Sequence, residues 1–394
     1  MIFRKPVFQK FKHIFICLFL FVGTYIIYKS VYTQPRNWYD HYLYQARSFI
    51  TLRVDVPDLP DFYQDKVVIN GKTLLPFPPL PGAILIPFIL LFKSVTQQQV
   101  SVLIASVNIF LAYVLLKKFT NSKNAILLSV FLAFGTVHFW AGIVGTTWYF
   151  AHIVAITFFL LSLICHFNKR DFLAGILFAL AGLCRYPILF GGVFFLLQLF
   201  KERKRLLNFL AGAFVFIPIQ LGYDWARFGS LFQTGYVEIY KDYIHSSYPY
   251  TILQLFNSKI PYFGYMDPRN IPLHLFTFLV FPPIITQTLA ISPSPYGMGI
   301  LFTSPLLLLG LLPHFKVKLQ RNLFFGAASI AFVDFLHYMQ GWVQFGYRFL
   351  LDFLPFVLIL LAVKFKLNKK ILLLLFISIA VNFWGVMEGI KLGW

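Results

Sequence analysis

The sequence has few charged residues, and this scarcity excludes an ordinary soluble domain. Charged residues make up 12% of its 394 residues, whereas they make up about 25% of a typical soluble domain. Hydrophobic residues make up 59%, and the mean hydropathy is +0.73. Because a spanning helix needs about 20 mostly apolar residues, this composition predicts an all-α polytopic membrane protein.

Cysteine is also scarce, which excludes a disulfide framework. The three cysteines, Cys17, Cys165 and Cys184, all lie inside apolar runs, and their spacings match no metal site. We interpret them as packing residues.

Two further patterns are missing altogether. The sequence contains no Asp-x-Asp motif, so it gives no reason to expect a nucleotide-sugar site or a required metal. We also find no internal repeat or low-complexity tract. The missing repeat disfavours a transporter, because many transporter folds are built from internal repeats.

Basic residues outnumber acidic residues by 34 to 14, which gives a net charge of +20. Such an excess would ordinarily suggest nucleic acid as a partner. Here, however, the basic residues form short clusters at the ends of apolar segments, as the cytosolic loops of membrane proteins do. Six clusters hold 20 of the 34 bases and only two acids, Asp171 and Glu202. We therefore predict a plasma-membrane protein with a cytosolic N-terminus and no nucleic-acid partner.

The apolar segments between these clusters predict one transmembrane domain, residues 1–394, with eleven spanning helices. Segment 80–92 is not counted as a span, since it is short and contains Pro81 and Pro87, which interrupt a helix. Counting it would also reverse the charge pattern of every later loop. We expect it to be re-entrant or to lie on the membrane surface. The predicted spans are 12–29, 98–116, 125–144, 147–166, 172–188, 188–200, 206–223, 295–312, 322–340, 349–363 and 371–389.

Two long polar intervals remain, and the charge pattern places both on the outer face. The first outer loop covers residues 30–97 and the second covers residues 224–294. Segment 272–290 of the second is apolar but is broken by Pro282 and Pro283, so we expect both loops to lie against the membrane. The first loop holds five of the fourteen acids, Asp40, Asp55, Asp58, Asp61 and Asp65.

Seven ionisable residues in or directly beside the predicted spans are placed at mid-depth or nearer the outer face. An ionisable group at the bilayer centre costs about 2.5 kcal/mol or more, so such groups usually line an aqueous or ligand cavity. We therefore predict a polar cavity that opens to the outer face beneath the acidic loop. The seven residues are His138, His152, Arg185, Asp334, His337, Arg348 and Asp352.

Local pairing is an alternative explanation for four of these residues. Arg348 and Asp352 are four residues apart and could form an ion pair on one helix face. Asp334 and His337 are three apart and could satisfy each other in the same way.

The remaining three residues differ in how strongly they indicate a ligand. His138 and His152 lie near the ends of predicted spans, where interfacial positions are common. Arg185 lies just before Pro187, and a cation there without a local partner indicates a nearby anion. Among the loop acids, Asp40 begins a segment with helical periodicity, so it is either a helix N-cap or a base held above the membrane.

Several short motifs, taken in order along the chain, resemble the GT-C type of integral-membrane glycosyltransferase. The similarity is to bacterial relatives of the protein O-mannosyltransferase, aminoarabinose transferase and lipopolysaccharide-core galacturonosyltransferase families. The motifs are an acid that opens the first outer loop (Asp40-His41-Tyr42), the stretch NGKTLLPFPPLPG (70–82), the segments GTTWYFAH (145–152) and RFGSLFQTGY (227–236), and YRFLLDFLP (347–355).

The resemblance implies a GT-C-like helical bundle and an inverting transfer of a hexose or pentose from a polyprenyl-phosphate or polyprenyl-diphosphate carrier. The acceptor would be a glycan, lipid or protein on the outer side of the membrane. By the resemblance, Asp40 is the candidate catalytic base and Arg348 a contact for the departing phosphate. The sequence requires no cofactor and leaves a divalent metal open.

Two departures from the family pattern affect other residues. His41 stands where these families often have Glu, and Phe77 stands before Pro78 where some have Lys. Lys72 is our candidate for the missing charge. The predicted substrate-binding residues are therefore Lys72, Arg185, Arg348, His152, Asp334 and His337.

Two other functions compete with this one. A transporter or flippase of a lipid-linked saccharide would need polar groups in the inner half of the membrane, where the sequence has few. An O-antigen-type polymerase or ligase typically uses arginines in a late outer loop, and Arg227 and Arg269 lie in the second outer loop.

Overall fold

The computed structural model describes residues 5–31, 39–92, 94–240, 264–286 and 289–394. Parts of the two predicted outer loops therefore lie outside the described residues, namely 32–38 and 93 in the first and 241–263 and 287–288 in the second.

The described chain is mostly helical. The helices of the first half are α1 (Lys5–Val31), α2 (His41–Ile50), α3 (Leu80–Leu91), α4 (Gln97–Leu116), α5 (Ser122–Phe134), α6 (His138–Val144), α7 (Thr147–Phe167), α8 (Asp171–Gly182) and α9 (Gly192–Leu199). Those of the second half are α10 (Arg203–Ala213), α11 (Phe216–Phe228), α12 (Tyr236–Tyr240), α13 (Ile271–Leu279), α14 (Ile300–Thr303), α15 (Lys318–Leu336), α16 (Leu350–Lys364) and α17 (Lys369–Lys391).

Short 3-10 helices and two hairpins complete the described structure. The 3-10 helices are Tyr186–Gly191, Pro268–Asn270 and Pro305–Leu309. The strands are β1 (Val67–Ile69) with β2 (Lys72–Leu74), and β3 (Ile284–Ile285) with β4 (Ile291–Ser292), each pair antiparallel. Both hairpins lie in the predicted outer loops.

Five helices of the described chain are long and apolar enough to cross a membrane, or six if one bent pair counts as a single span. The five are Phe11–Val31, Gln97–Leu116, Thr147–Phe167, Arg203–Phe228 and Lys369–Lys391. The membrane assignment agrees with these helices, whereas the number of eleven spans stays a prediction.

Several predicted spans are interrupted in the structure, and two of them show why. Segment 125–144 is divided between α5 and α6, which bend by 53° after α5 is terminated by Gly135. Segment 295–312 forms only the short α14 and the 3-10 helix that follows it. Pro305 begins the second piece, and proline removes a helical hydrogen bond. Hydropathy alone does not detect either break.

The bundle is packed most closely where small residues face each other. Helix α8 packs against both α7 and α10. A Cβ atom added to Gly175 of α8 would collide with the backbone of Phe209, and one added to Gly212 of α10 would collide with the backbone of Phe172. Small residues allow helix backbones to approach closely in a membrane. Glycine is therefore required on both sides of this contact.

Candidate active site

A cluster of charged side chains lies inside the helical bundle. Asp352 on α16 accepts hydrogen bonds from His152 Nδ1 at 2.7 Å and from Arg185 Nη2 and Nε at 2.9 and 3.1 Å. Asp334 on α15 lies 3.7 Å from the same guanidinium. The side chains of His152 and Asp352 are fully buried, whereas that of Arg185 is 19% exposed. The cluster therefore joins α7, α15 and α16 to the turn after α8.

These partners differ from the local pairings that the sequence allowed. Helix α16 begins at Leu350, so Arg348 lies before it, and Asp352 instead binds residues far away in the chain. Helix α15 ends at Leu336, and His337 Nδ1 accepts from the Met339 backbone N–H at 3.2 Å. The pairing predicted from helical spacing does not form in either case, because one member of each pair lies outside the helix.

Arg185 is therefore not a cation without a partner. It follows α8 in an extended conformation, with φ of −148°, and Pro187 occupies an early position of the next 3-10 turn. This geometry directs its guanidinium to Asp352, which is 167 residues further along the chain. The anion indicated by the sequence is supplied at least in part by the protein itself.

Arg348 lies next to this cluster and is surrounded by aromatic rings. It is 6% exposed, and its guanidinium carbon is 5.3 Å from the ring of Phe349, 5.9 Å from that of Tyr149 and 6.0 Å from that of Trp148. Aromatic faces attract cations at such distances. The arginine is thereby held just before the N-terminus of α16, close to Asp65 of the first outer loop.

Asp65, a loop acid that the sequence did not single out, lies beside Arg348. Its Oδ2 accepts a hydrogen bond from Trp148 Nε1 at 2.8 Å. Burial raises the pKa of Asp65, while the Trp148 hydrogen bond and the charge of Arg348 oppose the rise. Asp65 and Arg348 therefore lie on the same side of the bundle, with the indole near both.

Arg185 and Arg348 meet at one aromatic ring. Their guanidinium carbons lie 5.5 and 5.3 Å from the ring of Phe349. Burial raises the pKa of Tyr236, at the start of α12, to about 12; the charges of both arginines and of Arg227 oppose the rise, and that of Asp65 adds to it. The structure thus brings two predicted binding residues together, with Tyr236 exposed to their charges.

Further aromatic side chains surround this tyrosine. Tyr236 stacks on Tyr265 with ring centres 5.5 Å apart, and Tyr265 lies 5.1 Å from His337. The hydroxyl of Tyr42 on α2 is influenced by both Tyr236 and Arg185. Aromatic and charged side chains from both loops and from the bundle therefore lie close together, some buried and some half-exposed, as in many ligand sites.

Asp40 precedes α2, two residues before Tyr42. It occupies the N-cap position but makes no side-chain capping bond, and it is 4% exposed. Its Oδ1 is buried without a hydrogen-bond partner among the described residues. Burial raises the pKa of Asp40 to about 7, although the charge of Arg47 opposes the rise.

The residue after it, His41, has a structural role. Its Nε2 lies 2.8 Å from the carbonyl of Gln64 and its Nδ1 2.9 Å from Thr147 Oγ1. Burial lowers the pKa of His41 to about 4, so the ring is neutral and donates through one nitrogen only. These bonds fasten the first outer loop to the start of α7.

Lys72 lies apart from the other predicted binding residues. It is the first residue of β2 and is exposed, and its charge acts on Asp55 within the same loop. No contact among the described residues joins it to Arg185 or Arg348. Its role as a binding residue stays a prediction.

The two arginines of the second outer loop have partners within the chain. Arg227 donates to Asp224 at 2.5 Å and to the carbonyls of Leu75 and Phe77. Arg269 donates to Asp267 at 2.8 Å. Arg227 thus holds the proline-rich stretch of the first outer loop, which lessens the support for a polymerase or ligase.

Comparison with known proteins gives a fold but no sequence family. No protein-family model and no curated protein matches the sequence. The apo crystal structure of the oligosaccharyltransferase of the archaeon Archaeoglobus fulgidus matches with a TM-score of 0.53 and 13% identity, over 97% of this chain. A structure of the same organism's oligosaccharyltransferase AglB with an inhibitory peptide and a dolichol-phosphate matches with a TM-score of 0.49 and 13% identity, over 98%.

The chain shares the fold of an oligosaccharyltransferase. This likeness agrees with the GT-C-like helical fold that the resemblance implies, whereas the particular bacterial families stay predictions. The chain covers 56% of the length of each of the two structures. At 13% identity the likeness concerns the fold alone.

A metal site can be tested against the side chains present. Within the described part of the chain, no group of three or more His, Cys, Asp and Glu side chains could hold a metal ion.

Sequence reasoning missed Asp65 and Tyr236. Asp65 is one of five acids in a polar loop, and nothing in its neighbourhood distinguishes it from Asp58 or Asp61. Tyr236 ends the RFGSLFQTGY motif, so its position was noted but not its role. The roles of both residues depend on contacts that form only when the loops pack against α7 and α16.

Proposed function

We propose that this protein is an inverting glycosyltransferase that moves a sugar from a polyprenyl-phosphate carrier to an acceptor at the outer face of the plasma membrane. The acceptor would be a glycan, lipid or protein hydroxyl. The proposed site consists of Asp40, Arg348 and Arg185, with His152, Asp334 and His337 behind them.

One observation carries the proposal. Arg185 and Arg348 come from distant parts of the chain, yet their guanidinium carbons lie 5.5 and 5.3 Å from the same ring, that of Phe349. Fixed positive charge of this kind stabilises a departing phosphate. The oligosaccharyltransferase fold supports the same reaction class.

The reaction would be a single displacement at the anomeric carbon. A carboxylate takes the proton of the acceptor hydroxyl, and the oxygen forms a bond to the anomeric carbon. The bond between that carbon and the carrier phosphate oxygen breaks, and its electron pair stays on the phosphate. Displacement from the opposite face inverts the configuration, and the arginines hold the lipid phosphate that leaves.

Asp40 suits the role of base on account of its environment. A general base works best when its pKa lies near the operating pH, and the pKa of Asp40 is about 7. Its buried Oδ1, which has no hydrogen-bond partner in the described chain, is available to a hydroxyl that enters the site.

The cluster behind the site would keep Arg185 in place. Asp352 and His152 fix the orientation of its guanidinium, while 19% of that side chain remains exposed. The arginine therefore needs little rearrangement to meet a phosphate, and preorganised charge is the effective kind in catalysis.

The test is transfer by the purified protein in proteoliposomes. Polyprenyl-monophosphate and polyprenyl-diphosphate carriers with radiolabelled hexoses or pentoses would be supplied with a membrane extract as the acceptor source. We expect label to move from the carrier to a second molecule, with release of the lipid phosphate. Absence of transfer from every carrier, by protein that is folded, would contradict the proposal.

A further inference from the structure

Trp148 is the centre of an arrangement that the proposed reaction does not yet use. The side chain is half-buried, and its ring lies 5.0 Å from that of Tyr39, which is also half-buried. Its indole N–H is held by Asp65 Oδ2 at 2.8 Å. Arg348 lies 6.0 Å from the same ring.

Two residues that contact Trp148 have left-handed backbone conformations. Tyr39 has φ of 58° and Asp65 has φ of 54°. Aspartate adopts such angles more readily than most residues, whereas they are uncommon for a bulky side chain such as tyrosine. Strain of this kind costs of order 1–3 kcal/mol and often occurs at ligand sites. The strain at Tyr39, whose ring packs on the tryptophan, is consistent with a site there.

The second oxygen of Asp65 is available for a ligand. Only Oδ2 is used by Trp148, and Oδ1 has no hydrogen-bond partner among the residues that the structure describes. The residue is half-buried, so this oxygen is neither fully solvated nor satisfied. A carboxylate oxygen accepts hydrogen bonds, and a sugar hydroxyl is a suitable donor.

We propose that Trp148 and Asp65 form the subsite for the transferred sugar, in which the indole packs on the sugar ring and Asp65 Oδ1 accepts a hydrogen bond from a hydroxyl. The inference rests on the proposed function, because it places the sugar beside the arginine that holds the carrier phosphate. It also limits the substrate class. A neutral sugar can donate to Asp65, whereas a uronic acid would place a second carboxylate against it.

Selectivity against uronic acids is the measurable consequence. Like charges at short distance repel, and a site built to bind a hydroxyl discriminates strongly when its polar groups are left unpaired. We expect the protein to prefer a carrier with a neutral sugar to the matching carrier with a uronic acid by about tenfold or more.

The experiment measures binding rather than turnover. The full chain in nanodiscs at pH 8 would be titrated with polyprenyl phosphate that carries glucose, mannose or galactose, with the three corresponding uronic acids, and with sugar-free polyprenyl phosphate. Thermophoresis would report affinity for wild type, Asp65→Asn and Trp148→Phe. Asparagine can still accept from the indole N–H, so Asp65→Asn removes the charge but keeps the bond that holds Trp148.

The variants have different expected results. Asp65→Asn should bring the ratio of neutral to uronic affinity close to one, and Trp148→Phe should weaken the binding of every sugar-bearing carrier. Because both residues lie beside Arg348, each affinity is divided by that of the same variant for the sugar-free carrier, which removes any change in phosphate binding. A purely structural role of Asp65 would lower all affinities together and leave the ratio unchanged.

The possible failures are distinguishable. If the wild type binds the sugar-free carrier but shows no preference for neutral sugars, or if Asp65→Asn keeps the preference, the subsite inference is wrong while the proposed function stands. If the wild type binds no carrier at all, the proposed function fails and the subsite fails with it.

Discussion

Two groups of carboxylates in this protein lie near arginines, and they are used differently. Inside the bundle, Asp352 has both oxygens bonded to Arg185 and one also bonded to His152. In the first outer loop, Asp40 and Asp65 each have an oxygen without a hydrogen-bond partner in the described chain. A carboxylate with all its hydrogen bonds made holds helices together. A carboxylate oxygen that is buried without a hydrogen bond costs free energy, and it indicates a place where a ligand can bind.

The largest effect should come from breaking the bundle cluster. Asp352→Ala leaves the guanidinium of Arg185 without its main partner, and removal of one member of a buried pair costs about 3–5 kcal/mol. Chemical unfolding in detergent micelles would measure this loss of stability. Arg53→Ala is the control, because Arg53 pairs with Asp55 in an exposed position and should have no measurable effect. Equal unfolding curves for the two variants would contradict the structural role of the cluster.

Replacing Asp40, in the first outer loop, should have the opposite effect to replacing Asp352: the protein should stay folded but lose activity. Loss of a general base reduces turnover by about 10²–10⁴-fold, so Asp40→Asn should be nearly inactive. Asp58→Asn changes an exposed acid of the same loop and should transfer sugar at the wild-type rate. The base assignment would be wrong if Asp40→Asn kept half of the wild-type activity.

The raised pKa of Asp40 has consequences for pH dependence. Because the base must be ionised and its pKa is about 7, kcat/KM should be about tenfold lower at pH 6 than at pH 8. Folding stability depends on pH in the opposite direction. The folded state holds a proton that the unfolded state loses above pH 3.8, so this carboxyl contributes less stability as pH rises from 3.8 to 7.

These two effects can be measured on one pair of proteins. Unfolding of wild type and Asp40→Asn across this pH range should show the variant gaining stability relative to wild type as pH increases. A kcat/KM that is level between pH 6 and pH 8, or a variant that loses relative stability, would contradict the assignment.

Lys72 should show the smallest effect. It is exposed and acts on Asp55 rather than on the arginines, so we expect Lys72→Ala to change KM for the carrier by less than about twofold, since surface charges of this kind contribute little. Steady-state kinetics with the labelled carrier would measure it. A tenfold rise in KM would place Lys72 in the site.

The sequence predicts most of the long helices because their signal is local. Apolar runs gave α1, α4, α7 and α17 to within a few residues, apart from an earlier start of α1. For segment 295–312 the sequence predicts a helix that is too long, because Pro305 and nearby glycines stop the helix without lowering the hydropathy.

The site is less predictable because its contacts are long-range. Arg185 and Arg348 could be proposed because charges are rare within apolar segments, and the structure brings both to the ring of Phe349. Their partners could not be proposed, since Asp352 lies 167 residues after Arg185 and no local pattern records that contact. Asp65 could not be singled out either, since its position depends on Trp148, 83 residues later in the chain.

The most direct test of the account is carrier-dependent transfer by Arg348 variants. Labelled sugar transfer in proteoliposomes would be compared for wild type, Arg348→Lys, Arg348→Ala and the control Arg53→Ala. If Arg348 holds the departing phosphate, Arg348→Ala should lower kcat/KM by about 10²–10³-fold, Arg348→Lys by less, and Arg53→Ala not at all. Transfer by Arg348→Ala at the wild-type rate would contradict the central claim.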